Sequence, residues 1–252
     1  MNIRILNILI LLITIIIVFS CDVQDSVGPQ QSPGLILIGE YGLSIPEPSG
    51  LTLNKDFTAL WSVSDNTNNV YKITLDGNVL IELNFTGNDL EGIVYDSTDN
   101  SLWLAEEQLR EVVHIDLNGN ELARNSVDVP GSGNSGLEGI CLDTASTHYV
   151  LNEKDPGLWA KLKSDFSSQI QKVINEVGDL SGITFDRTKK MFWIVSDVSR
   201  LLFLWDPDQG IVKRFDLPFA KAEGVAYDPV MSRIYIVSDL TNKLYVYEFE
   251  NS

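Results

Sequence analysis

Three glutamates, Glu91, Glu138 and Glu223, stand directly before a glycine, and serines take the same place in Ser49-Gly50 and Ser181-Gly182. The five glycines lie 42, 47, 43 and 42 residues apart. Fourteen or fifteen residues after each glycine comes a further acidic residue: Asp65, Glu107, Glu153, Asp197 and Asp239. Carboxylates recurring at one phase of a structural repeat return to one place in space. A narrow cluster of them cannot stay ionised without a counter-charge, so it shares protons or takes a hard cation. Calcium accepts about six to eight oxygen ligands in flexible geometry, and an all-oxygen set suits it better than zinc. The two histidines, His114 and His148, are too few and too far apart in sequence for a histidine-built metal cluster. A Ser-His-Asp triad has no local support, because the chain contains no Gly-x-Ser-x-Gly elbow.

The repeat that positions these acids reads as strands. In the second unit the strands are Gly92–Tyr95, Ser101–Ala105, Val112–Asp116 and Glu121–Val127, parted by turn residues at 96–100 and at Asn118-Gly119-Asn120. Alternating apolar pairs such as Trp61/Val63, Leu102/Leu104 and Tyr235/Val237 fit strands buried on at least one face. Leu158–Val173 is the nearest approach to a helical period, and Lys163-Ser164-Asp165 makes it a hairpin instead. A unit of this length with several short strands is the mark of a propeller blade. The last unit stops after three strands, near Glu248, while an orphan strand, Leu35–Tyr41, precedes the first. Pairing the two removes both open edges. The expected fold is therefore an all-β, five-bladed propeller of four-stranded blades, closed by its N-terminal strand. Trp61, Trp103 and Trp193 recur at one phase and belong between blades as core.

The ends and the charge bound the setting. Arg4, an apolar stretch from Ile5 to Phe19 broken only at Asn7 and Thr14, and then Ser20-Cys21 describe a secretory signal peptide over 1–20. Val18-Phe19-Ser20-Cys21 resembles a bacterial lipobox, which makes Cys21 the lipidated first residue of the mature chain. Residues 21–34 form a polar tether, and 35–252 the propeller. With Cys21 assigned to lipid, Cys141 has no partner for a disulfide and fills core. Thirty-five acidic residues against 18 basic ones give a net charge of −17. That balance excludes nucleic acid as a partner and limits membrane contact to the lipid anchor. The expectation is an exported monomer held at the cell envelope, on the inner or outer membrane.

Leu90-Glu91-Gly92-Ile93, the run Leu102 to Glu107, Leu137-Glu138-Gly139-Ile140 and the Val-Ser-Asp endings at 195–197 and 237–239 resemble the SdiA-regulated family of exported bacterial proteins. The resemblance covers essentially the whole mature chain. It implies a five-bladed propeller, distantly related to NHL-repeat propellers, with a bound calcium ion. It implies nothing about DNA binding and supplies no defined activity. Calcium-dependent lactonase propellers, distantly similar, hold their ion with a Glu from an inner-strand Glu-Gly step. By that analogy Glu91, Glu138 and Glu223 are the first metal ligands, joined by Glu107 and Glu153, with Asn152 as a further oxygen donor.

In a propeller the first strand of each blade lines the central channel, and the second runs back to the same mouth. Both acidic phases should therefore meet there. Asp65, Asp197 and Asp239 follow Val-Ser and are expected to make Asx-type turns rather than to ligate, helped by Ser64, Ser196 and Ser238. Glutamate in three units and serine in two make the site one-sided. The leading reading is a calcium-binding, lipid-anchored module for an unidentified ligand or protein at the channel mouth. The alternative is a calcium-dependent ester, lactone or phosphoester hydrolase with Glu107 or Glu153 as general base. Turnover of a panel of lactones, aryl esters and phytate with added calcium separates the two.

Overall fold

The computed structural model describes residues 34–131 and 135–250. The expected signal peptide, Cys21 and the expected tether up to residue 33 lie outside the described residues. The chain opens with β1 (Leu35–Gly42) and then builds four complete blades. Blade one is β2 (Pro48–Leu53), β3 (Ala59–Ser64), β4 (Asn69–Thr74) and β5 (Val79–Thr86). Blade two is β6 (Leu90–Asp96), β7 (Ser101–Glu106), β8 (Glu111–Asp116) and β9 (Glu121–Ser126). Blade three is β10 (Leu137–Leu142), β11 (His148–Asn152), β12 (Leu158–Leu162) and β13 (Ser168–Val173). Blade four is β14 (Ile183–Asp186), β15 (Met191–Ser196), β16 (Leu201–Asp206) and β17 (Gly210–Asp216). Blade five joins β18 (Ala222–Asp228), β19 (Arg233–Ser238) and β20 (Lys243–Phe249) to β1, in the order β1-β20-β19-β18.

The fold is thus an all-β, five-bladed propeller. Its ring closes as the orphan strand requires: Leu35 pairs with Phe249 and Gly42 with Lys243, antiparallel. Leu158–Val173 is a hairpin, β12 against β13. The tips at Gly77 and Gly119 take positive φ (86° and 87°), the conformation a tight strand reversal needs and glycine supplies without steric cost.

The core lies between blades. One apolar cluster joins Trp61 and Val63 of blade one to Leu90, Ile93 and Leu102 of blade two. Equivalent clusters join blades two and three around Trp103, three and four around Trp159, and four and five around Trp193. The last, around Tyr235 and Leu60, joins blade five to blade one. Each sheet is therefore covered on both faces by its neighbours, and this is why its inner strands are almost wholly apolar.

At the axis the five repeat glycines pack backbone to backbone. A Cβ added to Gly50 would stand 2.7 Å from the Glu91 carbonyl oxygen, and one on Gly92 3.0 Å from the Ile140 nitrogen. On Gly139 it would meet Ile183 Cγ2 at 2.9 Å; on Gly182, the Glu223 carbonyl at 2.2 Å; on Gly224, the Ser49 carbonyl at 2.5 Å. Each glycine thus admits the inner strand of the next blade, and the fifth admits that of the first.

Gly182→Ala should destabilise the propeller by about 2–3 kcal/mol, because a backbone carbonyl cannot yield to the new methyl. Gly42→Ala, where nothing lies within 4 Å of the added atom, should change stability by less than about 0.5 kcal/mol. Denaturant unfolding of the two variants checks this, and equal effects would contradict the close-packed ring.

Candidate metal centre

The channel mouth takes its side chains from three phases of the repeat. The first opens the inner strand: Ser49, Glu91, Glu138, Ser181 and Glu223. In blades two, three and five this residue is the extra one in a β-bulge. Leu90 pairs with Glu106 and Gly92 with Ala105, leaving Glu91 unmatched; Glu138 and Glu223 are skipped in the same way. A bulge breaks strict alternation and re-aims a side chain. That is how a glutamate points to the mouth from a strand whose neighbours are buried.

The second phase ends the second strand: Asp65, Glu107, Glu153, Asp197 and Asp239. The third lies three residues before each glycine, in the loop from the preceding blade: Glu47, Asp89, Gly136, Asp179 and Lys221. Backbone bonds tie the last two phases together. The amides of Asp65, Glu107, Glu153 and Asp239 donate to the carbonyls of Glu47, Asp89, Gly136 and Lys221 at 2.9–3.2 Å.

Most of these residues line a cavity of about 250 Å³ carrying nine acidic side chains and two lysines. Asp65, Asp89 and Glu91 each bring a carboxylate oxygen within 4.8 Å of the others, and so do Glu107, Glu138 and Glu153; Asp89 and Glu107 adjoin the cavity's lining without forming part of it. Asp89 links the two groups, since its carboxylate touches those of both Asp65 and Glu107. Of the five ligands expected from sequence, Glu107, Glu138 and Glu153 therefore meet in one group, and Glu91 stands in the adjoining one. Glu223 lies apart from both, 3.4 Å from Lys221 Nζ.

The charge is compensated unevenly. Lys221 Nζ also stands 3.4 Å from Asp197, and Lys154 pairs with Glu153. Asp179 accepts bonds from the Ser196 hydroxyl and the Val198 amide. Ser49 Oγ donates to Glu91 Oε2 at 2.5 Å, and the Gly136 amide to Glu107 Oε1 at 3.2 Å. Among the described residues no donor serves the Glu138 carboxylate, and Asp89 Oδ2 is buried without a hydrogen-bond partner. The uncompensated charge thus collects at blades one to three.

Protonation follows from this. Burial, then the carboxylates of Glu91, Glu223 and Glu153, pushes Glu138 well above the usual carboxylate range. Burial and Asp65 do the same to Glu91 against the hydrogen bond from Ser49. Asp65 rises to about 6 through burial and then Asp89 and Glu47. Glu107 rises to about 7 through burial, opposed by the Gly136 amide and reinforced by Asp89. Glu223 also rises to about 7 by burial, only partly offset by Lys221.

Some expectations from sequence take a different form. Ser238 Oγ donates to the Ala220 carbonyl, but the other two turns after Val-Ser are made by serine: the Thr67 amide donates to Ser64 Oγ and the Ser199 amide to Ser196 Oγ. That frees Asp65 to meet Asp89 and Glu91, while Asp197 accepts the Lys221 amide at 2.6 Å, across to the next blade's loop. Asp239 does accept a bond from the Leu240 backbone, and it lines the cavity as well. Asn152 turns its Nδ2 onto the carbonyls of Lys154 and Pro156 and leaves Oδ1 buried without a partner. Asp89, Glu47 and Asp179 were not anticipated. Their signal was present: three of the five residues at that loop phase are acidic.

The model of the SdiA-regulated family matches residues 44–248, the whole ring apart from β1 and the end of β20. The chain belongs to the SdiA-regulated family. Among solved structures, this SdiA-regulated propeller is similar to a glutaminyl cyclase from Myxococcus xanthus, with a TM-score of 0.70 and 13% identity over 86% of this chain and 98% of that one. It is similar also to a gluconolactonase from Xanthomonas campestris, with a TM-score of 0.59 and 12% identity over 86% and 89% of the two chains. A virginiamycin B lyase from Staphylococcus aureus follows at 0.51 and 18%, over 83% and 69%. At these identities the likeness is one of fold.

The raised carboxylates set the pH response of the metal-free protein. Between their unfolded values, near 4, and their folded values of about 6 to 7 or higher, the native state holds more protons than the unfolded chain. Stability is therefore highest in mild acid and falls as pH rises through that window. In chelator, the melting temperature should drop by roughly 5 °C or more from pH 5 to pH 8. A flat or rising profile would contradict the assigned protonation.

Proposed function

We propose that this protein is a calcium-binding module displayed on the cell envelope, using the ion at its channel mouth to organise a site for a ligand or protein partner. The observation that carries the reading is the donor set of blades one to three. Two carboxylate groups adjoin through Asp89, and no lysine or arginine ion-pairs with Asp65, Asp89, Glu91, Glu107 or Glu138 among the described residues. Oxygens within 4.8 Å of one another suit a cation bound at about 2.3–2.6 Å, since donors on opposite sides of it are about twice that distance apart. The donors are carboxylates alone, the hard-ligand chemistry of calcium rather than of zinc. Glu107, Glu138 and Glu153 would hold the ion, with Glu91 next to them. Calcium bound there would supply the positive charge that protons otherwise provide to these groups, and so a charge to attract an oxygen-bearing partner.

Elemental analysis of the purified chain should find calcium, and calcium should raise the melting temperature at pH 8 much more than at pH 5. Glu138→Gln should weaken calcium binding at least about tenfold, the effect of removing one charged ligand. Glu223→Gln, beside Lys221, should weaken it less. A metal-free chain with a melting temperature indifferent to calcium would sink the reading.

The envelope assignment rests on Val18-Phe19-Ser20-Cys21 and the polar tether after it. A diacylated, lipid-bearing Cys21 holds a chain stably, since two acyl chains exceed the marginal grip of one. In membrane fractionation, Cys21→Ser should move the protein to the soluble fraction. Unchanged membrane association would refute the lipid anchor.

A further inference from the structure

At the other end of the channel the chemistry is reversed. A cavity of about 330 Å³ opens there, large enough for a small organic ligand. Its walls carry Lys55 and Arg187 and no acidic side chain, in a protein with 35 acidic residues and 18 basic ones. Among the described residues neither cation forms an ion pair. Lys55 comes from the turn after β2 and Arg187 from the turn after β14, so they approach from non-adjacent blades.

The reversal has a structural cause. Asn54, Asp96, Asp143, Asp186 and Asp228 recur here at the same 42, 47, 43 and 42 spacing as the glycines. All five are committed to turns. Asn54 Oδ1 accepts the Thr58 and Ala59 amides; Asp96 accepts Thr98; Asp143 accepts Ala145 and Thr147. Asp186 accepts the Thr188 and Lys189 amides, and Asp228 those of Val230 and Met231. Backbone amides thus hold the four aspartates away from the opening, which none of them lines; of the five only the uncharged Asn54 does.

What the cavity presents instead is aromatic. Phe57, Tyr95, Phe185 and Tyr227 come from four different blades, and Leu53, Val94 and Leu142 deepen the apolar wall. Phe57 takes a positive φ of 56° in its turn, a costly conformation for a bulky residue. The cup is blind, because the space among the repeat glycines is only about 10 Å³, at the limit for a single water. Nothing bound here reaches the acidic mouth.

We propose that this cavity binds a small amphipathic carboxylate, with an apolar or aromatic body against the rings and its carboxylate at the rim with Arg187 and Lys55. Ring faces favour stacking on a planar body, and guanidinium pairs with a carboxylate through parallel N–H donors. The inference is independent of the metal centre.

Calorimetric titration of the full chain with cinnamate, with and without chelator, tests it. The expected result is saturable one-site binding that is the same in both conditions and unaffected by Glu138→Gln. Arg187→Gln with Lys55→Gln should weaken it at least about tenfold, and uncharged cinnamamide should bind more weakly by a similar factor. Both substituted residues are exposed, so folding should survive, and an unchanged melting temperature verifies this. Absence of saturable binding by cinnamate and by octanoate would overturn the proposal. So would equal affinity for cinnamamide, or binding indifferent to the double substitution.

Discussion

The structure depends on how closely five inner strands approach one axis. A side chain at the repeat glycine would press on the next blade at every one of the five positions, on its backbone at Gly50, Gly92, Gly182 and Gly224 and on the Ile183 side chain at Gly139. This contact cannot be satisfied locally, because each glycine serves its neighbour's strand and not its own sheet. It brings the interblade apolar clusters into contact and leaves almost no void along the axis. The bulge directly before the glycine in blades two, three and five accompanies this crowding. A close-packed axis and an inward-turned glutamate are thus two results of one backbone arrangement.

The consequence is electrostatic. Crowding that stabilises the apolar interior also draws acidic residues of several blades into one partly dry mouth. The protein resolves this differently on its two sides. Blade five provides Lys221, held between Asp197 and Glu223, and its ammonium is stabilised further by those carboxylates. Blades one and two provide no such cation, and the acids there are held by burial and mutual repulsion in raised, proton-sharing states. An uncompensated buried charge is strongly unfavourable, so a mouth of this kind is stable only with protons or a bound cation to balance it.

The fold was legible because its determinants are spaced by the repeat. Glycines at near-constant intervals, turn residues such as Asn118-Gly119-Asn120 and the unpaired Leu35–Tyr41 strand together specify blade number, blade content and ring closure. The acids were legible in part, as Glu91, Glu138 and Glu223 mark themselves by preceding glycine in strands that otherwise exclude charge. Asp89 was legible only through its repeat phase, because by composition a loop acid next to Asn88 looks like any solvated connection. Only the bond from the Glu107 amide to its carbonyl fixes it beside the mouth. The fate of Asp65 was hidden for a similar reason. Ser64 and Asp65 are equally capable of making the turn, and the hydroxyl takes it. Lys221 was also hidden: a lysine two residues before Glu223 looks like an exposed charge until the bulge turns the glutamate back toward it.

The two ends of the inner strands show what decides whether a carboxylate becomes available for chemistry. Both ends carry acids at the same intervals, in the same chain, around the same axis. At one end a tight turn follows the strand, and its free amides point back at the side chain; Asp96, Asp186 and Asp228 become turn formers, each with an oxygen bonded by the turn. At the other end the strand is entered from a loop that crosses between blades. That loop turns carbonyls toward the neighbouring strand, as the bonds to Glu47, Asp89 and Lys221 show, and at the mouth its Gly136 and Lys221 amides donate to acids, Glu107 and Asp197. Asp65 and Glu138 receive no backbone amide there among the described residues, in contrast to the turn aspartates. Their charge must then be met by a lysine, a proton or a cation. The direction in which the backbone presents its amides, more than the number of acidic residues, therefore separates the structural carboxylates of this propeller from those left open to a ligand.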